Sequence, residues 1–183
     1  TKPVGPVLSA QEVMERDWDI ATTVHGPRRV VASPLPKTIL DLDVIRTLVE
    51  QRAVVICGGG GGIPVVEQER HYNGIPAVID KDRLSSGLAV DLNAEALIIS
   101  TGIQSVYTNF GQEDQVEHRH LSLNEAKKHL EDGQFPAGSM GPKINSMLEA
   151  ITAQPSMRSI LCQPGDALSA MRGDAGTTLS QDD

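Results

Sequence analysis

The sequence predicts an α/β fold in which a mostly parallel sheet lies between helices in three layers. Two observations carry that prediction. Ala53-Val54-Val55-Ile56-Cys57, Ala77-Val78-Ile79 and Ala96-Leu97-Ile98-Ile99-Ser100 are short continuous apolar runs, the character of strands buried on both faces. Segments with apolar residues at helical spacing alternate with them, and such alternation indicates a parallel sheet covered by helices.

Residues 1–36 are rich in Pro and Gly and read as a flap or linker region. Residues 37–183 read as the α/β domain. Within the flap, Ser9 followed by Glu12 has the form of a capping box and predicts a short helix over 9–16. Leu42 to Glu50 is the next helix, with Leu42, Ile45, Leu48 and Val49 on one face. The Ala53–Cys57 run follows as a buried strand. After Ala77–Ile79, a helix over 82–92 places Leu84, Leu88 and Leu92 at i, i+4 and i+8. Ala96–Ser100 is a further buried strand. Ser122 and Glu125 form a second capping box that opens a helix. Another helix starts at Gly141 and a strand runs from Ser159 to Cys162. The last helix, 166–171, stops at Gly173, a residue suited to a left-handed C-cap.

The chain has 183 residues and a formal net charge of −8. That length supports one sizeable core. That charge, with no cluster of Lys and Arg, excludes a nucleic-acid surface. No apolar stretch approaches the ~20 residues that span a bilayer. The start, Thr1-Lys2-Pro3, has no apolar leader, so a cytoplasmic protein is expected. It opens on Thr rather than Met, on a Pro- and Gly-rich segment with no element before it. The polypeptide is therefore expected to begin earlier. Cys57 and Cys162 each end an apolar run and are expected to be reduced core thiols.

Three features can carry chemistry. Gly58 to Gly62 directly follows a predicted strand. Successive glycines let backbone N–H groups converge on one point, which suits a phosphate-like anion better than a linker inside a compact domain. No Gly-Lys-Ser/Thr follows, so this is not a Walker loop. Pro64-Val65-Val66 stands where a dinucleotide fingerprint would open its helix.

Asp80-Lys81-Asp82 lies between a predicted strand and a helix. Two carboxylates flanking a lysine keep it charged and oriented, and Asp82 is placed to cap the helix. The pattern alone leaves a ligand-facing lysine and a solvated charged turn equally open. In Gly138-Ser139-Met140-Gly141-Pro142-Lys143, Pro142 suits the first helical position. Lys143 then sits in a first turn, where the helix dipole disfavours a cation unless an anion is bound there too. The five histidines lack metal-ligand spacing, no metal site is expected, and His118 with His120 reads as a surface pair. Neither cysteine has a histidine partner for covalent catalysis. From the residues alone, this is a nucleotide- or phosphate-binding α/β domain with converging lysines, arranged for phosphoryl transfer.

The same segments, in the same order, resemble the carbamate kinases of the amino-acid-kinase superfamily. The resemblance runs through Thr1 to Pro6, Arg28 to Pro34, Gly59 to Val65 and Ala77 to Asp82. It continues through Val106 to Gly111, Phe135-Pro136, Gly138 to Lys143 and Ala175-Gly176-Thr177. It implies reversible phosphoryl transfer between ATP and carbamate, with magnesium, running in arginine catabolism from ADP and carbamoyl phosphate toward ATP. By that resemblance Lys81 stabilises the transferring phosphoryl group and Asp80 holds Lys81. Lys143 meets the nucleotide phosphates, and Lys2 reaches in from the flap. Gly59, Gly60, Gly61 and Gly62 would cradle phosphate. Tyr107, Asn109, Gly138, Ser139 and Met140 would form the nucleotide pocket. Homodimers are usual in the family.

There are departures. The family's opening Ala-Leu-Gly-Gly-Asn-type loop and its later His-Gly-Asn-Gly-Pro loop are absent, so the chain carries at most half of that active site. Gly102 stands where related kinases often have Asp, the glycine run is one residue longer, the stretch from Trp18 to Arg28 is shorter, and Pro27 replaces an aromatic residue. Two other readings are therefore carried forward. One is a non-catalytic nucleotide-binding subunit or remnant. The other is a kinase of the same fold with a different acyl or amino-acid acceptor.

Overall fold

The computed structural model describes residues 1–181, and contacts divide it into two compact units. Unit 1 comprises Thr1–Thr38 and Ile56–Leu84, and unit 2 comprises Ile39–Val55 and Ser85–Asp183. The first unit thus extends past the boundary expected between residues 36 and 37 and takes in 56–84 as well.

Unit 1 begins with strand β1 (Lys2–Val4), helix α1 (Ala10–Glu15) and strands β2 (Ile20–Thr23) and β3 (Gly26–Val31). The Pro- and Gly-rich region is thus a three-stranded antiparallel sheet in the order β1-β3-β2. The Ser9–Glu12 capping box closes on α1 as expected. Pro27 lies in β3, where its carbonyl still accepts from the Leu8 N–H at 2.8 Å. The Arg16 and Arg29 guanidiniums each stack on the Trp18 ring, 4.7 Å from its centroid. Strands β4 (Val65–Gln68) and β5 (His71–Gly74) form an exposed hairpin.

In unit 2, helix α2 (Leu42–Glu50) forms where the periodicity predicts it, but of its apolar face only Ile45 is buried. Helix α3 (Lys81–Asp91) starts in unit 1 and ends in unit 2. Then follow β6 (Ala96–Ser100), β7 (Val106–Thr108), β8 (Val116–His118), β9 (His120–Ser122) and α4 (Leu123–Glu131). Helix α5 (Met140–Ala153), β10 (Arg158–Cys162), α6 (Ala167–Arg172) and β11 (Thr177–Ser180) complete it.

The sheet has the order β6-β10-β11-β9. Its outer pairs, β6–β10 and β11–β9, are parallel, and β10–β11 is antiparallel. Alternation along β10 separates two apolar layers. Leu161 joins Leu97, Ile99, Leu121 and Leu179 under Ile144, Met147 and Ile151 of α5 and Ala126 of α4. Ile160 and Cys162 face the other way, onto Ala170 of α6. Helices therefore cover both faces of the sheet.

Two predicted strands do not form. Ala53–Cys57 is irregular, and Val54 and Ile56 are 96% and 98% exposed. The run is apolar enough for a strand, but among the described residues no strand pairs with it, and a strand exists only through its neighbours. Cys57 is consequently exposed rather than a core thiol, whereas Cys162 is buried. Ala77–Ile79 makes a single parallel bridge, from Ala77 to Ala32. The Val78 N–H donates to the Ala32 carbonyl at 2.9 Å, and Ile79 is buried.

Candidate functional site

Unit 1 assembles the glycine run, the Asp-Lys-Asp segment and Lys2. The run folds into a tight turn. Gly58, Gly59, Gly61 and Gly62 all have positive φ. The Gly61 and Gly62 N–H groups donate to the Gly58 carbonyl at 2.9 and 2.6 Å. Those two amides close the turn on itself, which leaves the anion-cradle reading to Gly59 and Gly60. A Cβ on either of those would meet nothing within 4 Å. Gly61 is constrained most: at φ +136 a Cβ would overlap the Ile79 carbonyl oxygen. This contact seats the turn against the backbone just before Asp80.

Asp80, not Asp82, caps α3. Its Oδ1 accepts from the backbone N–H groups of Asp82 at 2.9 Å and Arg83 at 3.4 Å. Its Oδ2 accepts from the Lys2 ammonium, an ion pair between β1 and the start of α3. Burial would raise the Asp80 carboxyl, but the Lys2 hydrogen bond and the Asp82 amide outweigh it and hold the carboxyl below the usual range. This ion pair gives Asp80 a partner, Lys2, beyond the adjacent Lys81 that the resemblance implies. Lys81, the first residue of α3, lies 3.4 Å from Asp82 Oδ2, with its side chain 54% exposed. Asp82 itself is buried.

Unit 2 brings the remaining predicted residues to the start of α5 and the end of β7. α5 begins at Met140, so Pro142 is its third residue rather than its first, and Lys143 falls in the opening turn. The Ser139 side chain caps nothing. The Pro136 carbonyl instead receives the N–H groups of Ser139 at 3.1 Å and Gly141 at 3.0 Å. Met140 packs against the main core cluster. Tyr107 is half-buried in β7, and its ring lies 5.7 Å from that of Phe110, which is exposed. Asn109 holds a left-handed φ of 50. Its N–H donates to Gln134 Oε1 at 2.8 Å, and its side-chain amide donates to Asp114 at 2.7 Å. Asn tolerates that conformation better than most residues.

Gln134, which the sequence does not single out, and Phe110, His118 and His129 also lie against these segments. Phe110 had a signal in the Tyr-Thr-Asn-Phe string. His118 does not pair with His120. Its Nε2 is 2.9 Å from Thr108 Oγ1 and its ring lies 5.2 Å from that of His129, while His120 bonds Ser180. Among the described residues no group of three or more His, Cys, Asp or Glu could hold a metal ion, and no helix is long and apolar enough to cross a membrane.

The Asp-Lys-Asp helix start and the glycine turn thus lie in unit 1, and the lysine in the first turn of α5 lies in unit 2. The sequence profile of the amino acid kinase family matches residues 7–158, and the chain belongs to that family. Within it the chain is similar to carbamate kinases. It is 40% identical to the carbamate kinase of Halobacterium salinarum, over 98% of this chain and 60% of that protein. With the carbamate kinase of Clostridium perfringens it shares 39% identity, over 98% of this chain and 59% of that one. The solved carbamate kinase of Giardia lamblia bound to AMP-PNP superimposes with a TM-score of 0.87 at 34% identity, covering 100% of this chain and 59% of that one. A protein of Aeropyrum pernix K1 gives 0.90 at 35% identity, with 100% and 60% covered. The chain thus spans about 60% of the length of the relatives it matches.

Proposed function

We propose that this chain is the nucleotide-binding part of a carbamate kinase, catalysing reversible phosphoryl transfer between ATP and carbamate. The observation that carries this reading is the 40% identity to a carbamate kinase along 98% of the chain. The Asp80-Lys81 helix start and the Lys143 helix start support it.

On this reading Lys81 neutralises charge that develops on the transferring phosphoryl group. Asp80 fixes the first turn of α3, and with it the Lys81 backbone, while its second oxygen holds Lys2 in register. Lys2 exchanges that carboxylate for phosphate when substrate arrives. In unit 2, Lys143 meets nucleotide phosphate at a helix N-terminus, and Tyr107, Asn109, Gly138, Ser139 and Met140 form the base side. Mg²⁺ enters with the nucleotide, held mostly by phosphate oxygens and water. Gly59 and Gly60 supply the amides left by the closed turn. A cytoplasmic homodimer acting in arginine catabolism is part of the same proposal.

The test is ATP formation from ADP and carbamoyl phosphate, with ADP binding measured by calorimetry alongside. Lys81→Ala should lower kcat by about a hundredfold or more while ADP still binds. An unchanged kcat removes Lys81 from the role. The chain's span of about 60% of its relatives favours a second reading, a nucleotide-binding subunit without turnover. ADP binding with no ATP formed by the unaltered chain supports that reading instead.

A further inference from the structure

The mechanism above makes no use of the half-buried histidine pair in unit 2, yet that pair closes a ring of contacts around the base side. Thr108 Oγ1 meets His118 Nε2 at 2.9 Å, and the His118 ring packs on His129 at 5.2 Å. The His129 carbonyl accepts from the Gln134 N–H at 3.0 Å, and Gln134 Oε1 accepts from the Asn109 N–H at 2.8 Å. Asn109 follows Thr108 in the chain, so the ring returns to its start. A branch leaves it: the His129 ring contacts buried Phe135 edge-on at 6.4 Å. Phe135 precedes Pro136, whose carbonyl organises the Ser139 and Gly141 amides. Both segments assigned to the base, at the end of β7 and before α5, are therefore tied to one imidazole pair.

We propose that His118 is a positioning residue for nucleotide binding, holding the β7 end and the loop before α5 in register only while its ring is neutral. This rests on the nucleotide reading given above. Facing His118 from α4 are His129 and Glu125; β7 and β11 present Thr108 and Thr177, which carry no charge, and the Thr177 hydroxyl donates to the His118 carbonyl. Besides His118, His129 has Glu125 of its own helix as a charged neighbour. Burial first, then the nearby His129, disfavour a charge on His118, and Glu125 opposes this only in part. A proton gained by His118 puts a cation in a half-buried site against His129, and separating the rings is the response available to it. That movement carries Asn109 and Gln134 with it.

The experiment follows the full chain by NMR between pH 7.5 and 5.5. The His118 ring should titrate below about 6.5, the ordinary histidine value. The Asn109 and Gln134 amide signals should move with the same midpoint. Calorimetry supplies the second readout. On going from pH 7.5 to 5.5 the Kd for ADP should rise more in the unaltered chain than in His118→Gln, by less than the roughly tenfold that an imidazole with the ordinary pKa would give. That variant can still reach Thr108 but gains no charge, and comparison with it removes the nucleotide's own titration. His120→Gln, which alters an exposed histidine bonded to Ser180, should keep the full dependence. Amides that stay still while His118 titrates, or equal pH dependence in the unaltered chain and His118→Gln, overturn the proposal. If ADP binds at no pH, the nucleotide reading falls, and the amide signals still decide whether His118 holds the ring.

Discussion

Among single residues, Gly61 shows how one missing Cβ organises a site. Its φ of +136 and its approach to the Ile79 carbonyl leave no room for a side chain. Gly59 also has positive φ, but faces open space. The two substitutions should therefore separate. Gly59→Ala carries only the left-handed backbone cost of about 1–2 kcal/mol. Gly61→Ala adds a steric overlap with backbone and should lower stability by more, about 3 kcal/mol. Urea unfolding of both variants measures the difference, and equal midpoints would show that the Ile79 contact is not a constraint. Asp80 makes a related point. The sequence shows a carboxylate beside a lysine, but its oxygens go to backbone amides and to a lysine 78 residues away. No local pattern contains that partner.

At the level of elements, caps were legible and strands only in part: 96–100 and 159–162 read as strands and form, whereas 53–57 reads as one and does not. α1 and α4 open on Ser-x-x-Glu boxes whose reciprocal bonds both form, and α6 ends on Gly173 in the left-handed region. These signals are local, so a few residues contain the whole interaction. Ser122→Ala should cost α4 about 1 kcal/mol, read from the urea midpoint, because the Glu125 N–H loses its partner. Ser139→Ala should cost much less, since that side chain caps nothing and Pro136 organises the start of α5 instead. Strands depend on distant partners. Ala96–Ser100 and Arg158–Cys162 found one another in parallel register, and Ala53–Cys57, equally apolar, found none among the described strands. The flap strands β1 to β3 went unread for the opposite reason, since Pro and Gly masked segments that antiparallel pairing recruits.

For the whole molecule, the residues proposed for the site are divided between two units. Unit 1 holds the Lys2–Asp80 pair, Lys81 and the glycine turn, and unit 2 holds the segments proposed for the base side and Lys143. The chain matches about 60% of the length of carbamate kinases, and it exposes a run that its composition would bury. Val54 at 96% exposure contributes nothing to either core. Val54→Asp should leave the unfolding free energy within about 0.5 kcal/mol and raise solubility, because it interrupts an exposed apolar surface. A clear loss of stability in that variant would mean the run is packed in solution.

Periodicity, caps and glycine positions by themselves determined the α/β class and the ends of several helices, because each is contained in a few neighbouring residues. Only tertiary structure decided that Asp80 pairs with Lys2, that Cys57 lies exposed and Cys162 buried, and that His118 stacks on His129. Those outcomes depend on which distant segments share a surface, and burial and charge pairing act through space rather than along the chain.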